Sequence, residues 1–239
     1  MKSKLLLRPA AGLAALSLLL LTSTSFDGAV AQAHDNGDGA SQKDRDHDGD
    51  DSEAFRIRRG LEIAPVPLNL AHKDRKLVGL GSYLVNVSGD CNGCHTLSPA
   101  VEYAPGGNPY FSQPKVVNPA TYLGGGSDFG QLIPGTPNII SRNLTPDRTG
   151  RPIGGDSFAQ FRHTMRTGED PDHLHPPCSA TVTTNCLPPP FNGNLLQVMP
   201  WPAFQDMSDH DLRAVYEYLS AIPCIEGPPA PNPRHHDCT

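Results

Sequence analysis

Four stretches of the chain carry the clearest ordered pattern of apolar positions. The first is an apolar run of about 12 residues, Ala10 to Leu21, that follows Lys2, Lys4 and Arg8. A bilayer span needs about 20 such residues, so the run fits the core of a secretory signal. Ala31-Gln32-Ala33 supplies the small-x-small cleavage pattern, which predicts a signal peptide over 1–33 cut after Ala33. An uncleaved anchor is the alternative. The second stretch, His72 to Val87, places Leu77, Leu80, Leu84 and Val87 on one helical face. Gly79 and Gly81 weaken that helix but let another helix come close, and Tyr216 or Tyr218 is the expected neighbour. In the third, Ser157 and Gln160 form a capping box and Gly168 stops the helix. Phe158, Phe161 and Met165 fall on its buried stripe, with His163 off it and exposed. The fourth opens with Ser208 and Asp211, runs through Leu212, Val215, Tyr216 and Leu219, and ends at Pro223. Residues 96–155 show no sustained period and are expected to be loops. The pattern predicts an all-α fold with long connections.

Composition agrees with a small core. Of 239 residues 37% are hydrophobic and 6% aromatic, with Gly 23, Pro 25 and one Trp. That excludes a membrane bundle and a thick β-sandwich, yet is too apolar for a wholly disordered chain. The net charge of −6 argues against nucleic acid as a partner, because phosphate binding needs a basic face. The acidity is local. Residues 34–53 hold eight acids and two bases, whereas 54–239 hold 16 acids and 14 bases. Residues 34–53, almost without apolar side chains, are expected to be a disordered acidic linker. Within it, Asp44-x-Asp46-x-Asp48-Gly49 begins like an EF-hand loop, but Phe55 stands where the bidentate Glu belongs. The body of the protein is then 54–223, with a tail at 224–239.

Chemistry concentrates in Cys91-Asn92-Gly93-Cys94-His95. Cys-x-x-Cys-His is the attachment sequence of c-type haem. Each thiol adds across one vinyl group of the porphyrin, and His95 then lies under the iron. A thioredoxin-like pair would need a βαβ context, and a structural zinc site a second ligand pair; neither is evident. The other cysteines, Cys178, Cys186, Cys224 and Cys238, do not form a second motif, so one haem is expected. In an oxidising compartment they should pair. Three pairings are possible, and proximity favours Cys178–Cys186 and Cys224–Cys238.

The sixth iron position separates carrier from enzyme. Met165 lies on a core stripe, and Met207 sits before a helix start as a hydrophobic staple. Met199, in Val198-Met199-Pro200-Trp201-Pro202, lies on a stiff loop before the last helix and is the expected thioether ligand.

The order helix, Cys91-x-x-Cys94-His95, loops, Met199-Pro200 and final helix resembles a class I cytochrome c. It resembles more closely the single-haem modules in cytochrome subunits of bacterial membrane-bound dehydrogenases. Gly81-Ser82-Tyr83-Leu84, Asn143-Leu144-Thr145-Pro146-Asp147, Phe158 to Gly168 and Met199 to Pro223 carry the likeness, which spans roughly 72–223. The Cys178 to Pro190 stretch looks like an insertion. The resemblance implies a small all-α fold of three to five helices around one covalent haem c. It also implies crossing first and last helices, and iron held by His95 and Met199. It further implies single-electron transfer outside the cytoplasm between redox proteins, with a dehydrogenase as donor and an oxidase or another cytochrome as acceptor. Association with the membrane would come through an uncleaved leader or a complex. Two other readings stand beside it: a haem enzyme or gas sensor with an open sixth site, and a binding module with structural haem and a functional acidic tail.

Overall fold

The computed structural model describes residues 42–226 and Cys238, with side chains from Ser52 onward. The expected signal peptide lies outside the described residues, as do 34–41 of the expected linker. Helix α1 (Gln42–Ile63) is followed by α2 (Arg75–Tyr83), which runs on as a π-turn over Leu84–Ser88. Then come α3 (Cys91–His95), strands β1 (Asp128–Gln131) and β2 (Asn138–Ile140), and a single turn α4 (Pro152–Gly155). Helices α5 (Phe158–Thr167), α6 (Trp201–Phe204) and α7 (Asp209–Leu219) complete the order.

α2 is the centre of the packing, with α1 on one side and α7 on the other. Glycine makes both approaches possible. A Cβ on Gly81 would lie 1.9 Å from the Ala214 carbonyl oxygen and 2.7 Å from Tyr218 Cβ, so α7 rests directly on the α2 backbone. Tyr218 is thus the aromatic neighbour of Gly81. Gly79 departs from expectation: it faces α1, where a Cβ would lie 2.6 Å from the Ile57 carbonyl oxygen. Tyr216 turns away, its ring 5.6 Å from Phe158 and 5.9 Å from Phe161. A buried polar knot joins the layers, in which Tyr122 Oη donates to Asn86 Oδ1 at 2.6 Å and shares a 2.7 Å bond with Tyr218 Oη.

Three expectations need correction. Helix α1 begins inside the stretch 34–53 read as unstructured; its second half docks on α2, and a helix anchored at one end extends at little further nucleation cost. The backbone over 44–50 is therefore helical rather than the loop an EF-hand needs. Second, Val87 is 49% exposed whereas Val85 is 1% exposed. The π-turn widens the helix there and shifts the inward phase, so the 3.6-residue stripe fails at its last position. Third, the stretch 96–155 contains the antiparallel β1–β2 hairpin.

The cap chemistry forms where the spacing puts it. Ser157 and Gln160 make the reciprocal capping box, and Ser208 caps α7 through the Asp211 amide. Gly168 ends α5 with φ 72°, and the Trp201 indole fills the place of its missing side chain. Among the described residues, no helix is long and apolar enough to cross a membrane.

Candidate functional site

The π-turn of α2 delivers the chain to α3, whose five residues are Cys91 to His95. Asp90 ahead of it takes a left-handed conformation (φ 43°), which turns α3 away from the α2 axis. Buried Asn92 ties α3 down by accepting from the Leu123 amide at 2.9 Å. His95 is held from the other side: its Nδ1 lies 2.7 Å from the Arg142 carbonyl oxygen, which can only accept. Nδ1 therefore carries the proton, and Nε2 keeps its lone pair for a metal. Burial holds the His95 imidazole below its usual pKa, against the opposing pull of that hydrogen bond, and so favours the neutral ligand form.

Arg142 is fixed in turn. Its guanidinium pairs with Asp170 and, at 2.6 Å, with Asp172. Asp170 is buried, and its carboxylate also accepts the amides of Asp172 and Leu174. A charge-assisted network thus holds the loop that carries the His95 partner.

Cys91, Cys94, His95 and Met199 line one cavity of about 360 Å³, within the size range of small-molecule and cofactor sites. Its wall is largely apolar, with Leu84, Val85, Phe161 and Leu187 among the residues. Cys94 is exposed and Cys91 partly buried. Both thiols are free, whereas the pairs Cys178–Cys186 and Cys224–Cys238 are disulfides, as proximity predicts. Burial, with Asp90 adding, pushes the Cys91 thiol up to about 12. A redox-active Cys-x-x-Cys needs the opposite shift, toward thiolate at neutral pH. Two free thiols, a neutral imidazole with an available nitrogen, a thioether and an apolar wall are the donor set and surroundings that a covalent haem requires.

Met199 comes to the cavity from the loop before α6, its carbonyl accepting from the Trp201 amide at 2.8 Å. Val198, a β-branched residue, holds φ 69° just before it. Sequence reasoning did not find that Met165 and Met207 line the same cavity. Both also pack with the core as expected, because the cavity wall and the core are one surface. His175 and Asp156 are two more wall residues without a motif to reveal them. Burial, with the Asp172 charge adding, raises Asp156 to about 6.

No family model matches the chain, and no solved structure does. Among curated proteins it is similar to the cytochrome c subunit of the quinone-linked alcohol dehydrogenase of Gluconacetobacter polyoxogenes, 29% identical over 166 residues. These are 70% of this chain and 25% of that protein. The gluconate 2-dehydrogenase cytochrome c subunit of Pantoea cypripedii is 29% identical over 145 residues, 60% of this chain and 22% of the relative. The corresponding subunit of Komagataeibacter europaeus alcohol dehydrogenase, also quinone-linked, is 29% identical over 166 residues, 70% of this chain and 25% of that one. The chain thus spans a quarter or less of the length of these relatives, and over most of its own length it is similar to cytochrome c subunits of dehydrogenases.

Proposed function

We propose that the protein is an extracytoplasmic c-type cytochrome with one covalent haem, which passes single electrons between redox proteins. The observation that carries this reading is the convergence of Cys91, Cys94, His95 and Met199 on one apolar cavity, with only these two cysteines of the described six left unpaired. Cys91 and Cys94 would hold haem by thioether bonds, and His95 Nε2 and Met199 Sδ would hold its iron in a class I arrangement. Haem supplies a metal that takes up and releases one electron.

The chain's own residues do the rest. The Arg142 carbonyl orients His95 and raises its basicity through the Nδ1 hydrogen bond. The largely apolar wall would cover much of the cofactor's surface, and a thioether in place of water would favour the ferrous state and raise the potential. With His95 and Met199 both bound, the coordination would stay alike in both oxidation states, and no position would be left at the metal for a substrate, which favours a carrier over an enzyme. The similarity to dehydrogenase cytochrome subunits supports redox proteins as partners, with a dehydrogenase as donor; an oxidase or second cytochrome would be the acceptor, either free or within a complex.

The visible spectrum of protein matured in a periplasm tests this. The expected result is a covalent haem c spectrum, one haem per chain by pyridine haemochrome, with a sulfur-to-iron band in the oxidised form. Covalent haem without that band would favour the enzyme or sensor reading; no haem would overturn the proposal.

A further inference from the structure

Among the described residues, two buried side-chain atoms lack a hydrogen-bond partner: Asn92 Nδ2, within the Cys-x-x-Cys motif, and His175 Nδ1. His175 is in the wall of the cavity that Cys91, Cys94, His95 and Met199 share. A buried polar nitrogen without a partner loses its hydration with nothing in return, so native structures seldom keep one unless a bound group supplies the partner.

The fold fixes His175 from both sides. Ahead of it, Asp170 accepts the Leu174 amide, and Asn185 Nδ2 donates to the Leu174 carbonyl at 3.1 Å. Behind it, the Leu187 amide donates to the Pro176 carbonyl at 2.9 Å, beside the Cys178–Cys186 disulfide. The segment that reads as an insertion thus clamps the stretch bearing His175, and Leu187 from that segment is fully buried in the cavity wall. Gly193 lies against the same backbone, where a Cβ would fall 2.2 Å from the His175 carbonyl oxygen.

What the imidazole serves follows from the other polar groups of the wall. Asp90, Asp156 and Asp170 bring carboxyls, and the Arg142 guanidinium is turned to Asp170 and Asp172. Gln197 Nε2 donates to the carbonyls of Asn192 and Leu195. Haem carries two carboxylate side chains, and a carboxylate brought against an apolar wall needs a donor. We propose that His175 contacts the cofactor, its Nδ1–H donating to a haem carboxylate. This rests on the haem reading of the site.

The experiment uses matured holoprotein, wild type beside His175→Ala and His175→Asn, with haem content measured first in the wild type. Absence of haem there sinks the functional reading itself and this inference with it. With haem present, resonance Raman reads the carboxylate bending band and a redox titration the midpoint potential. The expected result is a downshifted band and a lower potential in the Ala variant, with the sulfur-to-iron band unchanged. The Asn variant, which can place an amide donor near the Nδ1 position, recovers most of both. An Ala variant with wild-type band and potential overturns the inference. So does one with altered iron ligation, which would make His175 a metal ligand. Should the Ala variant fail to load, the wild type in D2O decides: a band bonded to N–H shifts on exchange, and an unshifted band overturns the proposal.

Discussion

Met199 is set by the strain on its neighbour. A β-branched residue at φ 69° costs about 1–3 kcal/mol, and Val198 keeps it because Met199 and Trp201 on its far side are bonded into the loop. Three methionines line the cavity, so substitution decides which one binds iron. Met199→Ala is expected to abolish the sulfur-to-iron band, lower the potential and open the iron to carbon monoxide within the mixing time of a stopped-flow experiment. Met165→Ala should keep the band and instead cost roughly 2–5 kcal/mol in urea unfolding, as core truncations do. Asp156 gives a pH dependence. Its carboxyl ionises near 3.8 in the unfolded chain and at about 6 in the fold. Between those values the folded state keeps a proton that the unfolded chain has lost, so stability falls as pH rises through this window and is level above it. Asp156→Asn should therefore flatten the urea midpoint between about pH 4 and 7 and exceed the wild type at the upper end. Equal slopes in the two proteins would refute the assignment.

Among the elements, the contact of α2 with α7 is backbone on backbone. Gly81→Ala puts a methyl 1.9 Å from a carbonyl that has a whole helix behind it, so the helices must part. Overpacking of this kind costs about 1–3 kcal/mol, and the melting temperature should drop by roughly 2–12 °C at this chain length. Differential scanning calorimetry checks it; an unchanged melting temperature would mean that the helices do not touch there. The two α2 glycines were legible as a close-packing surface, but not the fact that they serve different partners. That depends on α1, whose Ile57, Gly60 and Leu61 do recur at helical spacing. The acidic run ahead of them masks the signal, because polarity alone reads as linker.

For the molecule taken together, the cavity is a gap in the core with a largely apolar wall. A cofactor that covered that wall would stabilise the fold by about 25 cal/mol per Å² of apolar surface taken from water, against the roughly 5–15 kcal/mol that holds a domain together. The cofactor is thus expected to be part of the core. The double variant Cys91→Ser/Cys94→Ser, made without haem attachment, should lose its cooperative melting transition and its near-ultraviolet circular dichroism. A sharp melt within a few degrees of the holoprotein would contradict this. The Cys178–Cys186 bridge closes a short loop, worth about 2–3 kcal/mol in the chain-entropy model. Its removal should accelerate proteolysis within 178–186 before the rest of the chain is cut.

Whatever depends on near neighbours could be read from the residues alone. The capping box of α5, the stop at Gly168, both disulfide pairings and the free pair Cys91 and Cys94 beside His95 all follow from short spacings, at most the 14 positions between Cys224 and Cys238. Over that range, chain geometry leaves few alternatives. Folding alone established that α1 flanks α2, that the π-turn buries Val85 and exposes Val87, and that Arg142 supplies the carbonyl to His95. Each of these joins residues or phases through packing, where the free energy belongs to the contact and no single residue type announces it. His175 is the clearest case. Its neighbours Leu174 and Pro176 form no motif that marks it, and only the fold puts it in the cavity wall.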